Sequence, residues 1–282
     1  MRKGICSVLL LAVMGVTPMR AMAQSFTFST GNPDGKIATG SRPDSPSKQE
    51  IESADDFLLN QTTSITGGTF TGLLPSGAPL SSIGSVDVEI YRVFPKDSTN
   101  PPSGTVPTRV NSPSDNAFDS RNSAASDLTF TATTLDSTFT AANSVLNGIN
   151  PIPNQFTGGE GPVTGEEVLF DVNFTNPFEL PADHYFFIPQ VKLADGDFLW
   201  LSAPKPIVAP NTPFTADLQS WIRNADLDPN WLRIGTDITH QGPFNAAFSL
   251  RGEVVPEPSS LSLLLGMELA GAGLFLRRFF RK

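Results

Sequence analysis

Residues 167–174 read Glu-Val-Leu-Phe-Asp-Val-Asn-Phe, and this stretch indicates the fold class most clearly. Val168, Phe170, Val172 and Phe174 recur at every second position, mostly between polar residues. Successive side chains of a strand point to opposite faces of its sheet, so these four are expected on one buried face. The stretch therefore predicts a β-strand with one face in a core.

The same period of two recurs along the chain. It is clear at 85–91 and 245–254 and weaker at 26–28, 65–74, 128–132, 185–191 and 198–202. Turn residues separate these segments, as in Asn-Pro-Asp-Gly at 32–35 and Ala-Asp-Gly-Asp at 194–197. Many short strands with such punctuation predict a mainly β fold, a single domain of the β-sandwich or jelly-roll type.

Two intervals depart from the strand pattern. Residues 217–224 are predicted to be a helix capped by Thr215, because apolar residues recur at helical spacing, namely Leu218, Trp221 and Ile222. The interval 97–126 is rich in Ser, Asn, Pro and Asp and poor in apolar residues. Such a composition predicts a long loop or a flexible insertion.

The first 23 residues have the three parts of a secretory signal peptide. A basic start precedes an apolar run at 5–16, and the small residues Ala21 and Ala23 occupy the positions that a signal peptidase reads. This pattern predicts cleavage before Gln24. An uncleaved anchor helix is the alternative, but the apolar run is shorter than the about 20 residues that span a bilayer.

The last 27 residues combine a short motif, an apolar segment and a basic cluster. Pro256, Glu257 and Pro258 precede an apolar segment at 259–276, which the basic residues follow, namely Arg277, Arg278, Arg281 and Lys282. At about 1.5 Å per residue the segment barely covers a hydrocarbon core of about 30 Å. By the positive-inside rule the basic end stays in the cytoplasm, so a transmembrane helix with the domain outside is predicted. A packed C-terminal helix of the domain is the alternative.

Residues 256–282 resemble the PEP-CTERM sorting signal of Gram-negative bacteria, in the motif, the apolar segment and the terminal arginine cluster. Glu268 departs from the small or apolar residue usual within that segment. The resemblance implies recognition by exosortase, a membrane protease-transpeptidase, and an association with exopolysaccharide. Residues 55–57, 69–72 and 231–250 are loosely similar to uncharacterised sandwich domains that precede this signal, which implies no activity.

The segment 24–255 is acidic and has no cysteine. It holds 12 Lys and Arg residues against 26 Asp and Glu residues, a net charge of −14. This balance disfavours nucleic acid and anionic lipid as partners. Without cysteine the segment has no disulfide, thiolate nucleophile or cysteine-bound metal.

Catalytic residues are sparse. The two histidines, His184 and His240, are expected at a strand start and in a polar turn, where each is more typical of an exposed residue than of a general base or metal ligand. No nucleophile elbow, zinc-binding helix motif or phosphate-binding glycine loop occurs. A glycoside hydrolase needs only two carboxylates about 5–10 Å apart, and that alternative stays open.

No cofactor is required by these patterns, and calcium is the best candidate. Asp226, Asp228 and Asn230 space oxygen ligands two residues apart, and Asp237 falls at the twelfth position of the same loop. This spacing is similar to a calcium-binding loop, although Trp231 stands where the sharp turn requires glycine. The alternative is an acidic turn before a strand. Weaker candidates are Asp195 with Asp197, and Asp55 with Asp56.

The tryptophans are candidate sugar-stacking residues. Trp200 and Trp221 are expected in the core, whereas Trp231 is the candidate for an exposed carbohydrate contact. A carbohydrate-binding module is therefore the alternative to a noncatalytic protein.

Together these features predict a noncatalytic exported protein of the cell surface or the exopolysaccharide matrix. It passes through a single-pass inner-membrane intermediate with its domain outside the cytoplasm. The expected partners are signal peptidase, an exosortase-type enzyme, the membrane and exopolysaccharide.

Overall fold

The computed structural model describes residues 24–99, 105–150, 155–207 and 217–255, which form mainly β-strands in two sheets. The mainly β prediction is confirmed. Within these residues no helix is long and apolar enough to cross a membrane. The predicted signal peptide at 1–23 and the predicted membrane helix at 259–276 lie outside the described residues.

The larger sheet has nine strands. Numbered along the chain, they are β1 (Gln24–Ser29), β2 (Ile37–Gly40), β4 (Thr63–Pro75), β7 (Leu128–Ala141), β8 (Asn143–Val145), β9 (Val163–Leu180), β11 (Leu199–Ala203), β14 (Asn245–Ala246) and β15 (Phe248–Val254). The long strand β4 is central. It pairs with β9 along one edge and with β15 and then β11 along the other, and all these pairs are antiparallel.

The smaller sheet has six strands in the order β13-β12-β3-β10-β5-β6. Its members are β3 (Ile51–Leu59), β5 (Ile83–Arg92), β6 (Asp119–Asn122), β10 (Asp183–Leu193), β12 (Trp221–Asn224) and β13 (Leu232–Arg233). A short 3₁₀ turn, Leu80–Ser82, precedes β5, and a π-helical turn, Ile234–Ile238, follows β13.

The main hydrophobic core lies between the two sheets. Phe187 of β10 stacks on Phe248 of β15 at 5.1 Å between ring centres, and Phe28 of β1 lies 6.3 Å from Phe57 of β3. Val168, Phe170, Val172 and Phe174 all belong to this core. Burial of aromatic side chains from both sheets therefore joins them.

Gly67 lets a side chain cross the middle of the larger sheet. The guanidinium of Arg251, on β15, passes over β4 and donates to Asp171 at 2.7 Å and to the Val172 carbonyl at 2.9 Å, both on β9. A Cβ at Gly67 would lie 2.7 Å from that guanidinium, so only glycine fits there without displacing it.

All the strand segments predicted from the period of two contain strands. The predicted helix at 217–224 is wrong, because Trp221–Asn224 is strand β12, between β3 and β13. Sheet pairing overrides the helical spacing here, since all four residues of β12 are buried between two neighbouring strands.

Within the interval 97–126 the structure describes residues 97–99 and 105–126. These residues contain strand β6, which pairs with β5, and a nearly buried ion pair between Arg109 and Asp115 at 2.9 Å. Polar side chains form hydrogen bonds and ion pairs with one another here, so these residues pack without a large apolar content.

Candidate functional site

The first and last residues that the structure describes lie at one corner of the larger sheet. Gln24, the predicted mature start, is the first residue of β1 and pairs with Val254, the last residue of β15. Val254 pairs on its other side with Thr63 of β4, and the Val255 N–H donates to the Thr62 carbonyl at 2.9 Å. Sheet hydrogen bonding therefore continues to the residue just before Pro256.

The other residues of the predicted export signals lie outside the described residues. They are the predicted cleavage-site residues Ala21 and Ala23, the predicted motif Pro256, Glu257 and Pro258, and the basic residues Arg277, Arg278, Arg281 and Lys282. The structure shows how close the sheet comes to the predicted motif. The motif follows a paired strand with one intervening residue, Val255.

The four candidate calcium ligands do not converge. Asp228 binds the Arg223 guanidinium at 2.7 Å, and Asp237 binds Arg233 at 2.6 Å. Asp226 is exposed, and buried Asn230 lies 3.5 Å from the Arg109 guanidinium through its side-chain oxygen. Calcium at this loop stays a prediction, and it would require both aspartates to leave their arginines.

The other acidic turns also have protein partners. Asp197 binds Arg42 and Lys48, both at 2.9 Å, and Asp195 accepts the Gly196 N–H at 2.8 Å. Across the four described ranges, no group of three or more Asp, Glu, His or Cys side chains is placed to hold a metal ion.

Trp231 does not offer the exposed ring that a sugar contact requires, so that prediction is wrong. Its side chain is fully buried, its ring meets Tyr91 edge-on at 5.7 Å, and its N–H donates to the Ser114 carbonyl at 3.1 Å. Ser114, which contributes that carbonyl, belongs to the interval 97–126. Trp200 and Trp221 are also buried, as predicted.

The histidines occupy different environments. His184 lies near the start of β10, as predicted, but its Nε2 is 2.6 Å from the buried carboxylate of Asp56. His240 is exposed in a turn with a positive φ of 58°, and its ring lies 4.3 Å from that of Phe156.

Asp55 and Asp56 fasten the segment that leads into β12. Asp55 accepts the Ser220 hydroxyl at 3.1 Å and the Ala246 N–H at 2.9 Å, and Asp56 accepts the Leu218 N–H at 3.0 Å. Burial raises the pKa of both carboxyls. Each therefore serves as a buried hydrogen-bond acceptor between β3 and its neighbours.

A buried polar network on the outer face of the smaller sheet has the most unusual electrostatics. Arg223 of β12 binds Glu52 of β3 and donates to the Tyr91 hydroxyl of β5 at 2.8 Å. That hydroxyl lies 2.9 Å from Glu52 and 3.1 Å from Glu89. We call these four residues the Arg223 network. Its guanidinium also lies 4.4 Å from the ring centre of Trp231.

Within the Arg223 network, the carboxyl of Glu89 has a strongly raised pKa. Burial, followed by the charges of Glu52 and Glu50, raises the pKa of Glu89 to about 8. Glu89 therefore keeps its proton at neutral pH, while Glu52 faces the Arg223 cation. Burial also raises the pKa of Tyr91, so its hydroxyl stays protonated.

Neighbouring carboxyls can act as an acid and a base when their environments separate their pKa values. A glycoside hydrolase, however, places its substrate between the two groups. Here the Tyr91 hydroxyl bridges Glu52 and Glu89, and Glu52 is 3 % exposed. The geometry thus favours a structural role for the Arg223 network.

A cavity of about 300 Å³ lies elsewhere, at the end of the larger sheet. Its walls are mostly apolar, and among its lining residues the one carboxylate is Asp197. Neither carboxyl of the Arg223 network lines it. The cavity and the network therefore do not combine into a catalytic cleft.

Sequence reasoning missed the Arg223 network. The period of two at 85–91 does place Asp87, Glu89 and Tyr91 on one face of a strand. Their partners Glu52 and Arg223 come from strands far away in the chain, so no local pattern connects them.

Comparisons with known proteins give no match: the chain matches no family model, no curated protein and no solved structure.

Proposed function

We propose that this chain is a noncatalytic exported protein, whose two sheets form a sandwich-like passenger domain delivered by its C-terminal sorting signal. The signal peptide would be removed before Gln24. The segment 256–282 would then hold the domain outside the inner membrane until an exosortase-type enzyme acts on it. The final location would be the cell surface or the exopolysaccharide matrix.

The observation that carries the proposal is the pairing of Gln24 with Val254. Gln24 is the predicted mature start, and sheet hydrogen bonding reaches Val255, just before the predicted motif. Both predicted signals would therefore adjoin the same corner of the domain. The buried tryptophans and the bridged carboxyls support a noncatalytic passenger over a carbohydrate module or a hydrolase.

Deletion of 256–282 tests the proposal. The intact chain is expected to pass through a membrane-bound stage in a pulse-chase fractionation, and the truncated chain is expected to go directly to the soluble exported fraction. A Glu257→Gln variant serves as the matched control, because it keeps the apolar segment and changes the motif alone. It should reach the membrane and stay there. Identical distributions for all three chains would contradict the proposal.

A further inference from the structure

Strand β7 forms an edge of the larger sheet. Within the described residues it pairs with β9 alone. The register with β9 is continuous from Leu128 opposite Phe174 to Thr134 opposite Val168, and irregularities follow at Asp136 and Phe139. Residues 128–134 therefore form a regular strand whose other side presents main-chain N–H and C=O groups without a strand partner there.

The regular part of β7 lacks the usual protection of an edge strand. Residues 128–134 read Leu-Thr-Phe-Thr-Ala-Thr-Thr, with no charge, glycine or proline. Natural edges are commonly protected by charged residues, proline, bulges or short length. Edge strand β6 of the smaller sheet carries Asp119 and Arg121, and β8 has three residues. Threonine and phenylalanine instead favour strand pairing.

The two faces of this edge also suit a partner strand. Thr129, Thr131 and Thr133 are exposed, whereas Phe130 and Ala132 are half-buried and pack against the main core. A strand added beside β7 would cover the open side of Phe130. The core between the sheets would thereby continue into the new contact.

We propose that this edge binds the same edge of a second copy of the chain, antiparallel and about a two-fold axis. The domain carries a net charge of −14, so most of its surface repels another copy. The segment 128–134 has no charge, and its regular side is self-complementary. A two-fold axis is also the commonest symmetry of identical chains, and it makes two copies of one strand antiparallel.

Thr131, the midpoint of 128–134, sets the register. Centred there, all seven residues pair, with Thr131 opposite itself, Thr129 opposite Thr133 and Phe130 opposite Ala132. Asp136 falls opposite Ser126, so no like charges meet. Threonine pairs and an aromatic residue beside a small one stabilise antiparallel strands.

The proposed contact is small, since it consists of one strand from each copy. Interfaces below about 1,000 Å² are typically weak or transient. The dimer is therefore expected to form at high local concentration, such as on a membrane or in a matrix. The proposal itself does not depend on the sorting signal.

Single cysteines test the proposed register. In the full chain carrying Cys6→Ser, Thr131→Cys places a thiol opposite its own copy, within disulfide reach. Thr133→Cys is the control in the same strand, because its copy lies about 13 Å away at roughly 3.3 Å per residue. Thr27→Cys is the control on edge strand β1. Under oxidation, the Thr131→Cys chain should give at least about tenfold more disulfide-linked dimer on a non-reducing gel than either control.

Sedimentation of the chain without cysteine gives the second measurement. The average mass of this chain should rise with concentration. The Thr131→Lys variant should stay at the monomer mass, because two ammonium groups would meet on the two-fold axis. Thr138→Lys, exposed beyond the regular segment, should leave the association unchanged. Equal crosslinking of Thr131→Cys and the two controls, or a mass that stays monomeric at every concentration, would overturn the proposal.

Discussion

At the scale of single residues, Arg223 balances the charge buried on the outer face of the smaller sheet. Its side chain is 7 % exposed, and that of its partner Glu52 is 4 % exposed. The pair is bound further by the Tyr91 hydroxyl. Removing one member of such a pair leaves an uncompensated charge in a medium of low polarity.

Arg223→Met is therefore expected to lower the free energy of unfolding by about 3–5 kcal/mol. Urea titration followed by tryptophan fluorescence measures the loss. Arg251→Met is the matched control, because its side chain is 37 % exposed and its partner Asp171 is 46 % exposed. That change should cost at most about 1 kcal/mol. Equal losses would show that burial of the Arg223 network has no energetic consequence.

The pH dependence of stability follows from the buried carboxyls. Burial raises the pKa of Asp87 to about 6 and that of Glu89 to about 8, and it also raises the pKa of Glu50, Asp55 and Asp56. A carboxyl with a raised pKa stabilises the fold below its unfolded pKa. That stability is lost as the pH rises through the folded pKa.

Between pH 5 and pH 9, the melting temperature is expected to fall as Glu89 and its neighbours lose protons. The Glu89→Gln side chain stays neutral at every pH. The free energy of unfolding of this variant should therefore decline by on the order of 2 kcal/mol less than that of the wild type over this range. For a domain of this size, each kcal/mol corresponds to about 2–4 °C. Calorimetry of the two chains across this range makes the comparison. Parallel curves for wild type and variant would contradict the assigned protonation of Glu89.

At the scale of elements, sequence patterns predict strands whose apolar residues recur at every second position and miss a strand in which buried carboxyls interrupt that pattern. β5 and β9 show a clear period of two. β3 shows none, because its acidic residues Asp55 and Asp56 are as buried as Phe57. Their carboxylates are satisfied by hydrogen bonds from β14, β10 and the segment before β12. Those donors are distant in the chain, so local sequence does not reveal them.

The same reasoning explains the error at β12 and the Trp231 prediction. Leu218, Trp221 and Ile222 have helical spacing, yet β3 supplies a ladder of pairs to β12 from Trp221 to Asn224. Trp231 follows an acidic turn, yet it is buried beside Tyr91 and donates to the Ser114 carbonyl. In both cases the decisive partner is non-local, which is also why the Arg223 network is absent from any sequence motif.

The end of strand β15 determines how close the predicted sorting motif lies to the folded sheet. Its pairing with β1 and β4 extends to Val254, and Val255 is hydrogen-bonded as well, so the motif follows the sheet without a linker. Proline ends sheet pairing because it lacks an N–H donor. A flexible segment of roughly ten Gly and Ser residues after Val255 moves the motif away from the folded body, at about 5–6 Å times the square root of its length.

Processing of the inserted chain is expected to be as fast as that of the parent or faster, because an enzyme gains access to the motif. The measurement is a pulse-chase comparison of the two chains, with the same segment inserted after Gly77, in an exposed turn, as the control. If the insertion after Val255 abolished processing while the chain still reached the membrane, the sheet edge itself would be part of the recognised element.

At the scale of the whole molecule, both predicted membrane segments adjoin one corner of an acidic domain. The pairing of Gln24 with Val254 places the predicted signal-peptide junction beside the predicted sorting tail. An acidic body is repelled by anionic headgroups over a Debye length of about 8–10 Å. This repulsion favours an orientation in which the corner faces the membrane and the rest of the domain stays away from it.

The central claim is that the chain is an exported passenger with both ends processed. Its most direct test is the intact mass of the protein recovered from outside the inner membrane, combined with sequencing of its terminal peptides. We expect a chain that starts at Gln24 and ends at or beside 256–258, either free or joined to another group. A protein that retains residues 1–23 and 256–282 and is found in the cytoplasm would contradict it.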